Sequence, residues 1–184
     1  MKYTGRVSTP KERKKTPNDV VMTNPNTAKW IVDYFAPSGK LLEPCKGNGA
    51  FYNSLQNYGD TDWCEISEGK DFFNYTKKVD WIITNPPFSI FDDFLLKSFD
   101  VANNVVFFCP LTKVFKGKKL DMKICEYGGI KEIIHMGGGS QHGFPFGFST
   151  GCIHYQRDYK SNNIKLTRNY NSQHTAPNLY EISQ

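Results

Sequence analysis

Leu41-Leu42-Glu43-Pro44-Cys45-Lys46-Gly47-Asn48-Gly49-Ala50-Phe51 reads as the end of a strand, a tight glycine loop and the start of a helix. Gly47 and Gly49 permit backbone torsions and close approaches that a side chain would block. The helix behind them directs its free N–H groups at whatever lies in the loop. Tyr52 stands where a dinucleotide fingerprint needs its third glycine, and no Lys-Ser/Thr pair follows, so neither that fingerprint nor a phosphate loop fits. Glu43, just before the loop, repels a pyrophosphate and suits a cationic ligand.

Outward from this stretch, apolar strands alternate with amphipathic helices. Asn24-Pro25 opens a helix carried by residues 28–35, with Trp30, Ile31, Tyr34 and Phe35 on one side, and Pro37-Ser38-Gly39 stops it. Residues 40–45 form a strand, 48–58 a helix, and 61–66 a second strand. A third strand over 79–84 leads to a helix over 90–101, with Phe91, Phe94, Leu95 and Phe99 inward. A strand over 105–109, a helix over 118–127 and strands over 130–136 and 152–157 complete the pattern, the last two separated by a glycine-rich loop. This alternation predicts an α/β fold, a mostly parallel sheet flanked by helices, in a single domain. Such sheets bind ligands beyond the carboxyl ends of their strands. Glu65 ends the second strand, where a carboxylate accepts from ribose hydroxyls. Asp71 is placed to accept the amine of a cofactor adenine, with Phe72 stacking on its ring. A plain surface charge is the alternative reading of both acids.

Asp80-Trp81-Ile82-Ile83-Thr84-Asn85-Pro86-Pro87-Phe88 carries the most specific signal. With proline near 5% of residues, Asn-Pro-Pro-Phe arises by chance in roughly one chain in a thousand of this size. An adenine amine is a poor nucleophile because its lone pair is delocalised into the ring. The Asn85 side-chain oxygen and the Pro86 carbonyl can both accept its N–H groups, turning the lone pair outward and stabilising positive charge as the bond forms. Pro86 and Pro87 hold the backbone and offer no competing N–H. Phe88 presents a face for a base flipped out of a duplex. A Pro-Pro turn that merely ends a strand is the structural alternative.

The glycine loop and Asn85-Pro86-Pro87-Phe88, in this order and spacing, resemble the amino-methyltransferases, and more narrowly the adenine-N6 DNA enzymes of bacterial and phage type. The resemblance covers about residues 20–157 and is faint after Pro110. It implies a Rossmann-like class I methyltransferase fold with S-adenosylmethionine as cofactor. The cofactor would meet Glu43, Pro44, Cys45, Gly47, Gly49 and Phe51 of the loop, Glu65, Asp71 and Phe72. The catalytic residues would be Asn85, Pro86, Pro87 and Phe88. The family's Thr-Pro pair near the N-terminus appears here as Thr23-Asn24-Pro25, with one residue inserted, and puts Thr23 and Pro25 beside the methionyl end. An RNA adenine methyltransferase shares all these motifs. A protein glutamine methyltransferase fits less well, because that group carries Asn-Pro-Pro-Tyr. An inactive cofactor-binding subunit is the reading from another class.

The chain has 184 residues, 39% hydrophobic and 15% aromatic, with a net charge of +5. Residues 1–15 hold six basic residues against one acidic residue, which accounts for the entire excess. Residues 1–18 thus read as a basic tail suited to nucleic-acid phosphates or plain solvation, and 19–184 as the methyltransferase domain, without a separate target-recognition domain. Target reading then falls to the lysine-rich stretch with Lys113, Lys116, Lys118 and Lys119, and to the loop over 137–148 with Phe144, Phe146 and Phe148, or else to a partner subunit or homodimer. The expected partner is nucleic acid, with DNA favoured and RNA the alternative. No run nears the ~20 apolar residues that span a bilayer, so no membrane partner is expected, and a cytoplasmic location is. Five unevenly spaced cysteines and four scattered histidines lack metal-ligand spacing, so no metal is expected.

Overall fold

The computed structural model describes residues 21–170 apart from 116 and 146; the predicted basic tail, Lys116 and Phe146 therefore lie outside the described residues. Helix α1 (Pro25–Phe35) is followed by β1 (Lys40–Glu43), α2 (Ala50–Leu55), β2 (Asp60–Trp63), β3 (Val79–Thr84), α3 (Phe91–Val101), β4 (Ala102–Pro110), α4 (Lys118–Tyr127), β5 (Gly128–Gly138), β6 (Ser149–Arg157) and β7 (Lys165–Arg168). The strands form one sheet in the order β2-β1-β3-β4-β6-β5-β7. Neighbours pair in parallel except at β6, which runs antiparallel to both β4 and β5. The chain leaves β1 toward β2 on one side and returns as β3 on the other. The switch point therefore lies between β1 and β3, where the glycine loop and Asn-Pro-Pro-Phe emerge side by side.

Alternation along each central strand builds a core on both faces. Val105, Phe107 and Cys109 of β4 join Phe91, Phe94, Leu95 and Phe99 of α3 on one face. Val106 and Phe108 join Ile31 and Val32 of α1 and Phe51 and Leu55 of α2 on the other. Cys64, Cys109 and Cys152 are buried as small apolar residues, and burial pushes the Cys64 thiol up to about 12.

Several sequence expectations change. The buried stripe of α1 is Thr27, Ala28, Ile31 and Val32, while Trp30, Tyr34 and Phe35 are only partly covered, because the helix lies on α2 and the sheet rather than under a further layer. Helix α2 is shorter than predicted, since Gly49 at φ 87 forms its N-cap. The second strand stops at Trp63, because Glu65 leaves it to cap the turn Ile66–Glu68. Strand β7 has no apolar run to announce it. It pairs with β5 from Glu132↔Lys165 to His135↔Arg168, and Thr167 Oγ1 donates to the buried Glu132 (2.6 Å), which also accepts from Tyr34 (2.5 Å).

On β6, His154 lies buried between Trp81, which it stacks on, and Phe35. Asn104 donates its amide to the Asp80 carbonyl, which leaves Asn104 Oδ1 to accept from His154 Nε2 (3.1 Å), so Nε2 carries the proton of a neutral ring. Burial, helped by Lys131, pushes His154 down to about 4. An unfolded chain binds this proton near pH 6.5 and the native chain does not. Stability is therefore full above pH 6.5 and falls as pH drops toward 4, by roughly 3 kcal/mol over that window. Urea titrations from pH 7.5 to 4.5 should show this loss, and His154→Gln should flatten the slope; equal slopes would remove His154 as its source.

Candidate active site

The switch point is organised by a buried carboxylate. Glu43, 1% exposed at the end of β1, accepts the Thr84 hydroxyl from β3 (2.5 Å) and the Cys45 amide (3.1 Å) on the same oxygen. Cys45 Sγ lies 3.0 Å from Thr84 Oγ1 and donates to the Asn85 carbonyl (3.2 Å). The start of the glycine loop is thus tied directly to the start of Asn-Pro-Pro-Phe.

The loop itself is pinned to the end of β2. The Lys46 amide donates to the Cys64 carbonyl (2.9 Å), and the Gly47 amide to Glu65 Oε2 (2.9 Å). Glu65 Oε1 accepts the Ser67 amide (3.2 Å) and hydroxyl (2.9 Å). Glu65 is 4% exposed, so the plain surface-charge reading of this acid is excluded. Gly47 and Gly49 both adopt positive φ, 53° and 87°. A Cβ on Gly47 would stand 3.3 Å from the Met22 sulfur, so glycine keeps open the gap between the loop and the segment before α1.

Two hollows flank the bridge formed by Cys45 and Pro87. The first is lined by Thr23, Glu43, Gly47, Phe51 and Asn85, and by Met22 and Asn48, which the sequence did not single out. The second is lined by Pro44, Asp71, Phe72 and Ile66 among others. Asp71 accepts the Phe73 amide (2.9 Å) and caps the turn Phe72–Asn74. Phe72 is 3% exposed and packs on Phe94 at 4.7 Å, so it is a wall of this hollow and a core residue together. Of the residues expected to meet the cofactor, Pro25, Gly49 and Glu65 line neither hollow, and Pro25 is exposed at the first position of α1.

Asn85 has an unusual balance of partners. Its Nδ2 donates to the Val21 carbonyl and to Thr23 Oγ1, both at 3.2 Å. A carbonyl can only accept, so the atom facing Val21 must be the nitrogen, and the orientation of the amide follows. Oδ1 is left buried without a hydrogen-bond partner. An orphaned acceptor of this kind costs about 1–3 kcal/mol. A bound donor would recover it.

Phe88, half-buried, begins the turn Phe88–Ile90. Behind it lies Phe144, ring centroids 5.7 Å apart, and Phe144 in turn contacts Phe108 and Phe148. Phe144 is 4% exposed, so it cannot present a free face to a nucleotide. His142 in the loop over 137–148 is buried, its ring 2.8 Å from the Met136 carbonyl and 3.4 Å from Thr27 Oγ1. Lys113 turns inward and donates to the Phe88 carbonyl (3.2 Å), whereas Lys118 and Lys119 are exposed at the start of α4. Among the described residues, the expected basic patch therefore divides into one inward brace, Lys113, and two outward charges, Lys118 and Lys119. Among the described residues, no group of three His, Cys, Asp or Glu could hold a metal ion, and no helix is long and apolar enough to cross a membrane.

No family model matches the chain, and no curated protein does. Solved structures do. A Listeria monocytogenes protein assigned to the class I S-adenosylmethionine-dependent methyltransferases superposes with a TM-score of 0.66 at 13% identity, over 89% of this chain and 70% of its own. The methyltransferase subunit of a type I restriction-modification system from Streptococcus thermophilus gives 0.60 at 14%, over 80% of this chain and 47% of its own. A dimethyladenosine transferase from Plasmodium falciparum gives 0.59 at 13%, over 74% and 63%. The chain thus spans about half the length of the restriction-modification subunit it matches. At these identities the likeness is one of fold, and that fold is the Rossmann-like class I methyltransferase fold.

Proposed function

We propose that the protein transfers a methyl group from S-adenosylmethionine to the N6 amine of adenine in DNA. The observation that carries this reading is the orphaned Oδ1 of Asn85, an acceptor fixed in orientation at the carboxyl end of β3 beside the glycine loop. An exocyclic amine is the donor that this atom suits. Its hydrogen bond would turn the nitrogen lone pair away from the ring and offset the positive charge that grows on nitrogen as the bond forms. Phe88, held from behind by Phe144 and through its carbonyl by Lys113, would form a rigid wall for the base.

The cofactor fits the residues present. S-adenosylmethionine supplies a methyl group activated by a sulfonium. Glu43 gives negative charge beside the first hollow, Gly47 keeps that hollow open, and Glu65 would hold the ribose while bracing the loop. Asp71 and Ile66 would border the adenine in the second hollow. An RNA adenine is the second reading, favoured by a fold likeness to a Pyrococcus horikoshii protein described as an RNA methyltransferase, with a TM-score of 0.55 at 14% identity over 72% of this chain and 83% of its own.

The test is direct. Protein, labelled cofactor and separate pools of duplex DNA, single-stranded DNA and RNA are incubated, digested to nucleosides and identified by mass. N6-methyladenine in DNA is expected, with a short or relaxed sequence preference. Methyl on cytosine overturns the base assignment, methyl on RNA alone promotes the second reading, and no transfer with cofactor bound points to a partner subunit or a protein substrate. Lys118 and Lys119, exposed at the start of α4, are the lysines expected to meet phosphate. Reversing both to Glu should weaken DNA binding and lower the slope of log K against log salt by about two. An unchanged slope would locate the phosphate contacts elsewhere.

A further inference from the structure

Phe115 is 87% exposed, far beyond any other large apolar residue among the described ones. It lies between two fixed points. Before it, Val114 is buried, its amide donates to the Leu111 carbonyl (3.1 Å), and Lys113 holds the Phe88 carbonyl. After it, Lys118 begins α4. The segment follows the carboxyl end of β4, which pairs with β3 through Thr84↔Phe107, and Asn85 and Phe88 follow that same end of β3. The Lys113 ammonium, 5.3 Å from the Phe91 ring centroid and 5.9 Å from that of Phe88, links the two segments physically. An aromatic ring thus stands in solvent two residues beyond the lysine that reaches Phe88, with Lys118 and Lys119 exposed after it.

We propose that Phe115 is a wedge that enters the base stack of duplex DNA where the target adenine leaves it. The inference rests on the adenine-methyltransferase reading above. Extruding a base costs unstacking and unpairing, and an apolar side chain that fills the vacated step offsets part of that cost. A phenyl ring suits this task without sequence preference, because every base offers a π-face. The flanking lysines supply the charge that draws such a ring onto a phosphate backbone. Lys113 couples wedge and site: a ring driven into the duplex is tethered to the Phe88 backbone that would receive the extruded base.

The test compares wild type, Phe115→Ala and Phe115→Trp on three DNAs of one sequence: a paired duplex, the same duplex with an abasic position opposite the target, and the single strand. Phe115→Ala should lose about 10- to 100-fold in kcat/KM on the paired duplex, the range that loss of one base–aromatic stack implies. It should stay within about two-fold on the single strand, where no stack need be opened, and fall between the two on the abasic duplex. Phe115→Trp should retain most of the duplex activity. With 2-aminopurine at the target and S-adenosylhomocysteine present, wild type should raise the duplex fluorescence and Phe115→Ala should not. Equal losses on duplex and single strand, or no loss on the duplex, overturn the wedge while leaving the methyltransferase reading intact. Wild type inactive on all three DNAs with S-adenosylhomocysteine bound overturns the wedge, and with it the reading that this chain by itself methylates DNA.

Discussion

Asn85→Ala is expected to lower methyl transfer by about a thousand-fold while leaving affinity for S-adenosylhomocysteine within a few-fold. Removing one preorganised hydrogen-bonding group from a reacting centre costs on the order of 10²–10³ in rate. Here the group would also set the direction of the nitrogen lone pair, which places the effect at the upper end. Stability should change little. The variant loses the bonds to Val21 and Thr23, but it also loses the orphaned Oδ1, and the two changes oppose each other. Asn85→Asp keeps an acceptor and should retain more activity than alanine, though its carboxylate would face the Val21 carbonyl without a proton to donate. Calorimetry with S-adenosylhomocysteine beside a transfer assay checks both parts. Full transfer by Asn85→Ala would remove this residue from the chemistry, and cofactor binding lost in parallel would reassign it to the cofactor cleft.

Glu65→Ala is expected to weaken S-adenosylmethionine and S-adenosylhomocysteine equally, by about 10- to 100-fold. The carboxylate already accepts the Gly47 amide, the Ser67 amide and the Ser67 hydroxyl, so its loss frees the glycine loop as well as a ribose partner. Losing a charge-assisted hydrogen bond costs roughly 1–3 kcal/mol, which corresponds to that range. The effect should be equal for both ligands because they share the ribose and differ only at sulfur. A melting temperature lowered even without ligand is also expected, since three internal bonds go with the side chain. Unchanged affinity would mean that Glu65 serves only the loop. A larger loss for S-adenosylmethionine than for S-adenosylhomocysteine would mean that its charge acts on the sulfonium rather than on the ribose.

The alternation of strand and helix, the mostly parallel sheet and the two segments that meet at its switch point were legible from the chain alone. Each depends on local rules. Apolar runs such as 79–84 form strands, glycines at 47 and 49 turn the backbone into a helix, and proline ends β4. The contacts that make these segments into one site were not legible, because they join residues far apart in the chain. Asn85 meets Val21 and Thr23 across more than sixty residues, Phe144 lies behind Phe88, and His142 reaches Thr27. Strand β7 was invisible because Lys165-Leu166-Thr167-Arg168 carries no apolar period; its place is set by pairing with β5 and by the buried carboxylate of Glu132. The lysines show the division most clearly. Their number and spacing belong to the sequence, but the inward turn of Lys113 onto the Phe88 carbonyl and the outward placement of Phe115 depend on where β4 ends relative to β3. Periodicity and turn chemistry act over a few neighbouring residues and so can be read along the chain. Side-chain direction and partnership depend on what packs alongside, and only the folded sheet supplies that.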